Sequence, residues 1–177
     1  MEFTLKYSGS LKANAGKDEK HLIRQAFHEQ MKELWNHEPL ASHIELKDEL
    51  VRSVGSFRFL PLVSVGLAFT AGVSILMLRE GTPGNIFVEG GDIDNRLKTL
   101  FDSLRMPSNV SELPKNISRR EGEDPFYCLL EDDNLITSVT VDTDRLLIPL
   151  LNKSHVEMFL RISIRKHKDY IATSGII

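Results

Sequence analysis

A run of nineteen residues, Leu60 to Leu78 (LPLVSVGLAFTAGVSILML), restricts the fold of this chain more than any other segment. It has the length and apolarity of a membrane-spanning helix, which needs about 20 such residues. Its punctuation argues otherwise. Pro61, Gly66 and Gly72 break the run, Ser64, Thr70 and Ser74 interrupt it, and Val, Ile and Phe are frequent. Those are marks of buried strands, expected near 57–69 and 72–79 with a break at Thr70-Ala71-Gly72. A chain with two fully apolar strands must cover them. At 177 residues and 41% hydrophobic content, it is long enough to build one sizeable core in one domain, residues 1–177.

The remaining periodicities supply the cover. Residues 2–8 alternate Phe3, Leu5, Tyr7 against Thr4, Lys6, Ser8, a half-buried strand. From Asp18, apolar residues at Leu22, Ile23, Ala26, Phe27, Met31, Leu34 and Trp35 mark the inner stripe of a helix of about 18 residues. Trp35 closes that stripe and reads as core, whereas His21 and His28, seven apart, read as surface residues. Residues 36–46 are mixed and read as irregular or briefly helical. Residues 95–105 predict a second helix with Leu97, Leu100, Phe101 and Leu104 on one face, ended before Pro107. Residues 108–125 are polar and predict a surface insertion. Strands follow at Phe126–Leu130, at LITSVTV and at VEMFLRISIRK. Strands and helices do not alternate regularly, so the expected class is α+β: a mixed sheet packed with a long N-terminal helix and a central one.

Charge narrows the partners. The net charge is −3 with a pI near 6.1, so any anionic partner must meet a local patch. Arg161 and Arg165, leading on to Lys166, His167 and Lys168, form one such patch on the last strand. Lys115, Arg119 and Arg120 form another, and Arg96 and Arg105 lie on the central helix. Such charge runs are more often solvated faces, and the alternative is a surface that tracks phosphates. The single cysteine, Cys128, rules out a disulfide framework and reads as a buried strand residue. The opening Met-Glu-Phe-Thr-Leu-Lys reads as a strand rather than a leader, so the expected compartment is the cytoplasm, with the sequons at Asn109, Asn116 and Asn152 unglycosylated.

The chemistry concentrates in GGDIDNRLKTLFDSL, Gly90 to Leu104. In extended backbone Asp92 and Asp94 point to one side, and two unpaired carboxylates that close repel unless a cation sits between them. A hard ion with oxygen ligands, Mg²⁺ with Mn²⁺ as the alternative, suits the pair. The simpler reading is that Asp94 caps the helix. Lys98, one turn beyond Asp94, stands where an ammonium could meet a phosphate, or else pairs with Asp102 at i,i+4. Gly84, Gly90 and Gly91 read as turn glycines before the motif, a composition that equally lets a phosphate backbone approach closely. No EF-hand glycine and no Gly-Lys-Ser/Thr of a phosphate loop is present. A second acidic group, Glu131-Asp132-Asp133, stands between two apolar strands, where acids cost stability unless something uses them.

Asp92-Ile93-Asp94-Asn95, Lys98, Phe101-Asp102-Ser103-Leu104 and Asp132-Asp133-Asn134-Leu135-Ile136, in that order, resemble the RusA family of Holliday-junction resolvases. The resemblance runs from about Ser74 to Val141. It implies that Asp92, Asp94 and Asp133 bind the metal, with Asp132 as the adjacent acid, and that Lys98 is the essential lysine. It also implies Mg²⁺-dependent hydrolysis of DNA phosphodiester bonds by a homodimer acting on branched DNA, in recombination and repair. The stretch between helix and Asp-Asp is longer here than in the family. Two other readings stand beside the enzyme. One is a non-catalytic module of the same fold that binds nucleic acid or protein, and the other is an unrelated metal-binding structural protein.

Overall fold

The computed structural model describes residues 1–80, 93–148 and 154–167. Along the chain run β1 (Glu2–Ser10), α1 (Lys17–Leu34), α2 (Leu46–Leu50), β2 (Arg52–Val54), β3 (Phe57–Val63) and β4 (Phe69–Arg79). After them come α3 (Ile93–Leu104), β5 (Phe126–Leu130), β6 (Ile136–Arg145) and β7 (His155–Lys166). The class is α+β, as expected. The strands form two sheets rather than one: β1-β7-β4-β6 and β2-β3-β5. In the larger sheet β7 pairs antiparallel with β1 and with β4, and β4 pairs parallel with β6. In the smaller, β3 pairs antiparallel with β2 and parallel with β5.

The apolar run divides between the two sheets, and its break lies at Ser64–Ala68 rather than at Thr70–Gly72. Ser64 O accepts from Phe69 N at 3.2 Å, Val65 O accepts from Ala68 N at 3.0 Å, and Ala68 takes a positive φ of 52°. Those bonds close a tight turn, which needs no glycine at its left-handed position. Gly72 instead lies within β4, between two neighbouring strands. A methyl there would stand 2.6 Å from Ser163 Oγ and 2.8 Å from Ser138 Oγ, too close to fit unless they move. Among the described residues no helix is long and apolar enough to cross a membrane.

Helix α1 lies where the two sheets meet, and at its start Glu19 Oε2 reaches back to accept from Gly16 N at 3.3 Å, the one half of a capping box that a glycine N-cap allows. Ile23, Phe27 and Met31 join the large core over the inner face of the larger sheet. A second, smaller core gathers Val54, Phe57, Phe59, Met106, Leu113, Phe126 and Cys128, with Ile117 packed against it. The 108–125 segment is therefore partly a cover. Leu113 is buried beneath it, and Glu123 is buried between Gln25 Nε2 at 2.7 Å and Arg120 N at 2.8 Å.

Serving two cores corrects the histidine expectation. His21 and His28 are 3% and 1% exposed, not surface residues. A helix against one sheet buries one stripe; against a second core it buries the adjoining stripe as well, here His21, Arg24 and His28. Trp35 and Cys128 are buried as expected.

The two edges of the larger sheet differ. On β1, Lys6 N donates to Gln30 Oε1 at 2.8 Å and Gln30 Nε2 donates to Lys6 O at 2.7 Å, so the Gln30 amide occupies that edge. On the other side β6 pairs only with β4 among the described residues.

Candidate functional site

Helix α3 carries the central motif, and α1 holds it in place. The two run side by side: Thr99 Oγ1 accepts from Ala15 N at 3.2 Å, Lys20 Nζ meets Asp102 Oδ2 at 2.6 Å, and Arg24 reaches the far end. There Arg24 Nη2 donates to Asp102 O at 2.8 Å and Nε to Arg105 O at 3.1 Å. Those are carbonyls that the end of a helix leaves without intrahelical partners, so a buried arginine acts as the C-terminal cap. Burial brings the Arg24 guanidinium down to about 10, still charged near neutrality.

These contacts sort the charged residues of α3. Asp102 is held by Lys20 and, at 3.5 Å, by Arg105, so it does not pair with Lys98. Lys98 is exposed and has no ion-pair partner among the described residues. Asp94 lies exposed in the first turn, its Oδ1 accepting from Asn95 N at 3.0 Å. Asp92 lies outside the described residues, as do Gly84, Gly90 and Gly91.

The acidic group after β5 separates into three roles. Glu131 Oε2 accepts from Val65 N at 2.9 Å and so braces the β3–β4 turn, while its Oε1 stands 3.5 Å from Arg52 Nε. Asp132 caps the 3-10 turn Asp133–Leu135, accepting from Asn134 N at 2.9 Å. Asp133 is exposed and lacks an ion-pair partner among the described residues. Its turn lies alongside α3 and β4, three residues after Leu130 O accepts from Met106 N at 2.9 Å. Asp94 and Asp133 are thus exposed carboxylates carried beside one helix, and oxygen donors of that kind suit Mg²⁺. Among the described residues no three His, Cys, Asp or Glu side chains are grouped so as to hold a metal ion.

The arginines do not form one surface. Arg105 is not available to a phosphate: it is largely buried, with Nη1 at 3.0 Å from Glu112 Oε2 and 2.9 Å from Met106 O. Burial opposes its charge, but Glu112, then Asp102 and Asp133, outweigh that and hold its pKa above the usual value. Arg96 is half-buried and donates to Leu11 O. Arg119 pairs with Asp124 at 2.8 Å and Arg161 with Glu2 at 2.7 Å. Arg120 and Arg165 are exposed, without ion pairs among the described residues. Arg161 and Arg165 alternate with buried Ile162 and Ile164, so they lie on the outer face of the larger sheet, away from the core on which α3 packs.

Sequence reasoning missed the polar stripe of α1. His28 is satisfied, Nδ1 accepting from Tyr127 N at 2.9 Å and Nε2 donating to Gly122 O at 3.2 Å. The available signal was the 21, 24, 28 spacing beside the apolar stripe, which keeps all three on one helical face. No protein-family model, curated protein or solved structure matches this chain.

Proposed function

We propose that this chain is a RusA-like, Mg²⁺-dependent endonuclease that hydrolyses DNA phosphodiester bonds, with branched four-way-junction DNA as its first test substrate. One observation carries the reading. Around α3 the charged groups Lys20, Asp102, Arg105 and Glu131 are each in an ion pair, whereas Lys98, Asp94, Asp132 and Asp133 have no ion-pair partner among the described residues. The residues without ion pairs are those that the motif assigns to metal and phosphate, Asp132 as the adjacent acid. Asp94 and Asp133, with Asp92, would hold the Mg²⁺, or Mn²⁺ in its place. When bound, such an ion neutralises a scissile phosphate and lowers the pKa of its water. Lys98 supplies an ammonium, a compact donor for a phosphate oxygen.

The same reading implies a homodimer. Antiparallel pairing of β6 with its copy would use the edge that is unpaired among the described residues and cover Val139, which is 44% exposed. That pairing sets Asp142 and Asp144 near the uncharged Ile136–Val141 half of the other copy rather than against each other.

A non-catalytic binding module is the second reading, favoured by the outer face of the larger sheet, where Leu76 and Phe159 are each 40% exposed side by side. Labelled four-way-junction, flap and duplex DNA, incubated with Mg²⁺, Mn²⁺ or EDTA, separate the two. Metal-dependent nicking by the native chain, lost in Asp94→Asn, is the expected result. Binding of the same DNA in EDTA, with no cleavage in either metal, would replace the enzyme by the module.

A further inference from the structure

The candidate metal site draws on two distant stretches, Asp94 and Lys98 on α3 and Asp133 after β5, and one junction joins them. There Met106 N donates to Leu130 O at 2.9 Å, and Arg105 pairs with Leu130 in a parallel bridge. Glu131 N, next in the chain, donates to Val63 O at 2.9 Å, so the turn bearing Asp133 leaves from a fixed point. The way α3 ends therefore sets where its side chains stand relative to Asp133.

Helices commonly end on a glycine in the left-handed region, which satisfies the last carbonyls and turns the chain aside. α3 does not. Arg105-Met106-Pro107-Ser108 follows Leu104, with no glycine and no positive φ. The chain runs on to Leu130 instead, and the carbonyls of Asp102 and Arg105 are taken by Arg24 Nη2 and Nε. Lys20, one turn earlier on α1, holds the Asp102 carboxylate at 2.6 Å. α1 thus grips Asp102 by side chain and backbone, and grips the helix end that meets β5.

That grip is costly. Arg24 is 2% exposed, its bonds go to neutral carbonyls, and its Nη1 has no partner among the described residues. Burial, and then the like charge of Arg105, oppose its ionised form. A well-packed apolar side chain often serves stability as well as a buried charge does, or better. What the planar guanidinium adds is direction, because one rigid fork fixes two carbonyls at once.

We propose that Arg24, assisted by Lys20, is the positioning residue of the metal site: it fixes the end of α3 against β5 and so holds Asp94 and Lys98 in register with Asp133. The inference rests on the nuclease reading for its metal ligands. It goes beyond that reading in placing control of the site on α1, a helix outside the motif.

Calorimetric titration of Mn²⁺ into the full chain, without DNA, tests it. Asp133→Asn identifies the site, since binding should be lost there. Arg24→Lys keeps the charge but cannot span both carbonyls. Lys20→Met, at a partly exposed ion pair, carries the test if Arg24→Lys does not fold. Ile23→Val, a core deletion on the same helix, is the control for lowered stability. Both clamp variants should weaken Mn²⁺ binding, Arg24→Lys by about tenfold, as expected of groups that orient ligands from behind. Ile23→Val should lower Tm and leave the Kd unchanged. In junction cleavage below saturating Mn²⁺, Arg24→Lys should lower kcat and leave KM for DNA unmoved, because so buried a residue cannot touch DNA. Affinities of both clamp variants within about twofold of native overturn the proposal and leave the nuclease reading standing. So does equal weakening in Ile23→Val, which would trace the effect to stability. A native chain that binds no Mn²⁺, or binds it as well in Asp133→Asn, fails the metal reading itself, and the proposal falls with it.

Discussion

Glu131, Asp132 and Asp133 follow one another in sequence, yet their surroundings give them separate fates. Glu131 accepts a backbone N–H from the β3–β4 turn, Asp132 caps its own 3-10 turn, and Asp133 faces solvent. Substitution should separate them. Glu131→Ala removes a charge-assisted bond to the β3–β4 turn, and should cost about 1–2 kcal/mol in urea unfolding. Asp133→Asn should leave the unfolding midpoint unchanged and abolish metal-dependent cleavage. A loss of stability from Asp133→Asn equal to that from Glu131→Ala would return Asp133 to a structural role. The same contrast of engaged and unengaged groups separates Asp102 from Lys98. Spacing alone made the two an i,i+4 pair, because spacing cannot register that Lys20 arrives from another helix.

At the scale of elements, the edges of the larger sheet set what it can pair with. Gln30 reproduces a strand's donor and acceptor against Lys6 and so closes β1. β6 has no such cover among the described residues, and Ile136, Thr137, Val139, Thr140, Val141 and Thr143 give it strong strand character. Light scattering behind a sizing column should show a concentration-dependent dimer that Val139→Lys converts to monomer, since a charge on an edge strand opposes pairing. A dimer unaffected by Val139→Lys would place the interface elsewhere. Elements were largely legible in sequence: α1, α3, β1, β5, β6 and β7 fall where periodicity put them. The turn between β3 and β4 was misplaced because Gly72 looked like a breaker, whereas its small size serves packing against Ser138 and Ser163.

For the molecule as a whole, two buried histidines tie stability to pH. Burial holds His21 down to about 4, and lowers His28 as well. Between that value and the ordinary histidine value of about 6.5, the unfolded chain takes up protons that the folded chain refuses. Stability is therefore full above about pH 6.5 and falls as the pH drops towards 4, by up to about 3 kcal/mol for His21. Urea midpoints at pH 7 and pH 5 should differ in that direction, and His21→Phe should flatten the difference. An equal drop in His21→Phe would assign the pH dependence to other groups.

The α+β class and the positions of most helices and strands could be read from the chain alone, because periodicity is local, and the family resemblance singled out Asp92, Asp94, Lys98 and Asp133 as candidate chemistry. Which of those charges are engaged, and that the strands divide into two sheets, could not. A helix pressed on two cores buries two stripes, and only the packing of distant segments says which polar residues lie in the second. His21, Arg24 and His28 are the clearest case. In sequence they look like solvent-facing positions of an amphipathic helix. Segments about 80 to 100 residues further along the chain, bringing Arg105, Gly122 and Tyr127, make them a cap, a bonded core histidine and a histidine packed against Phe126.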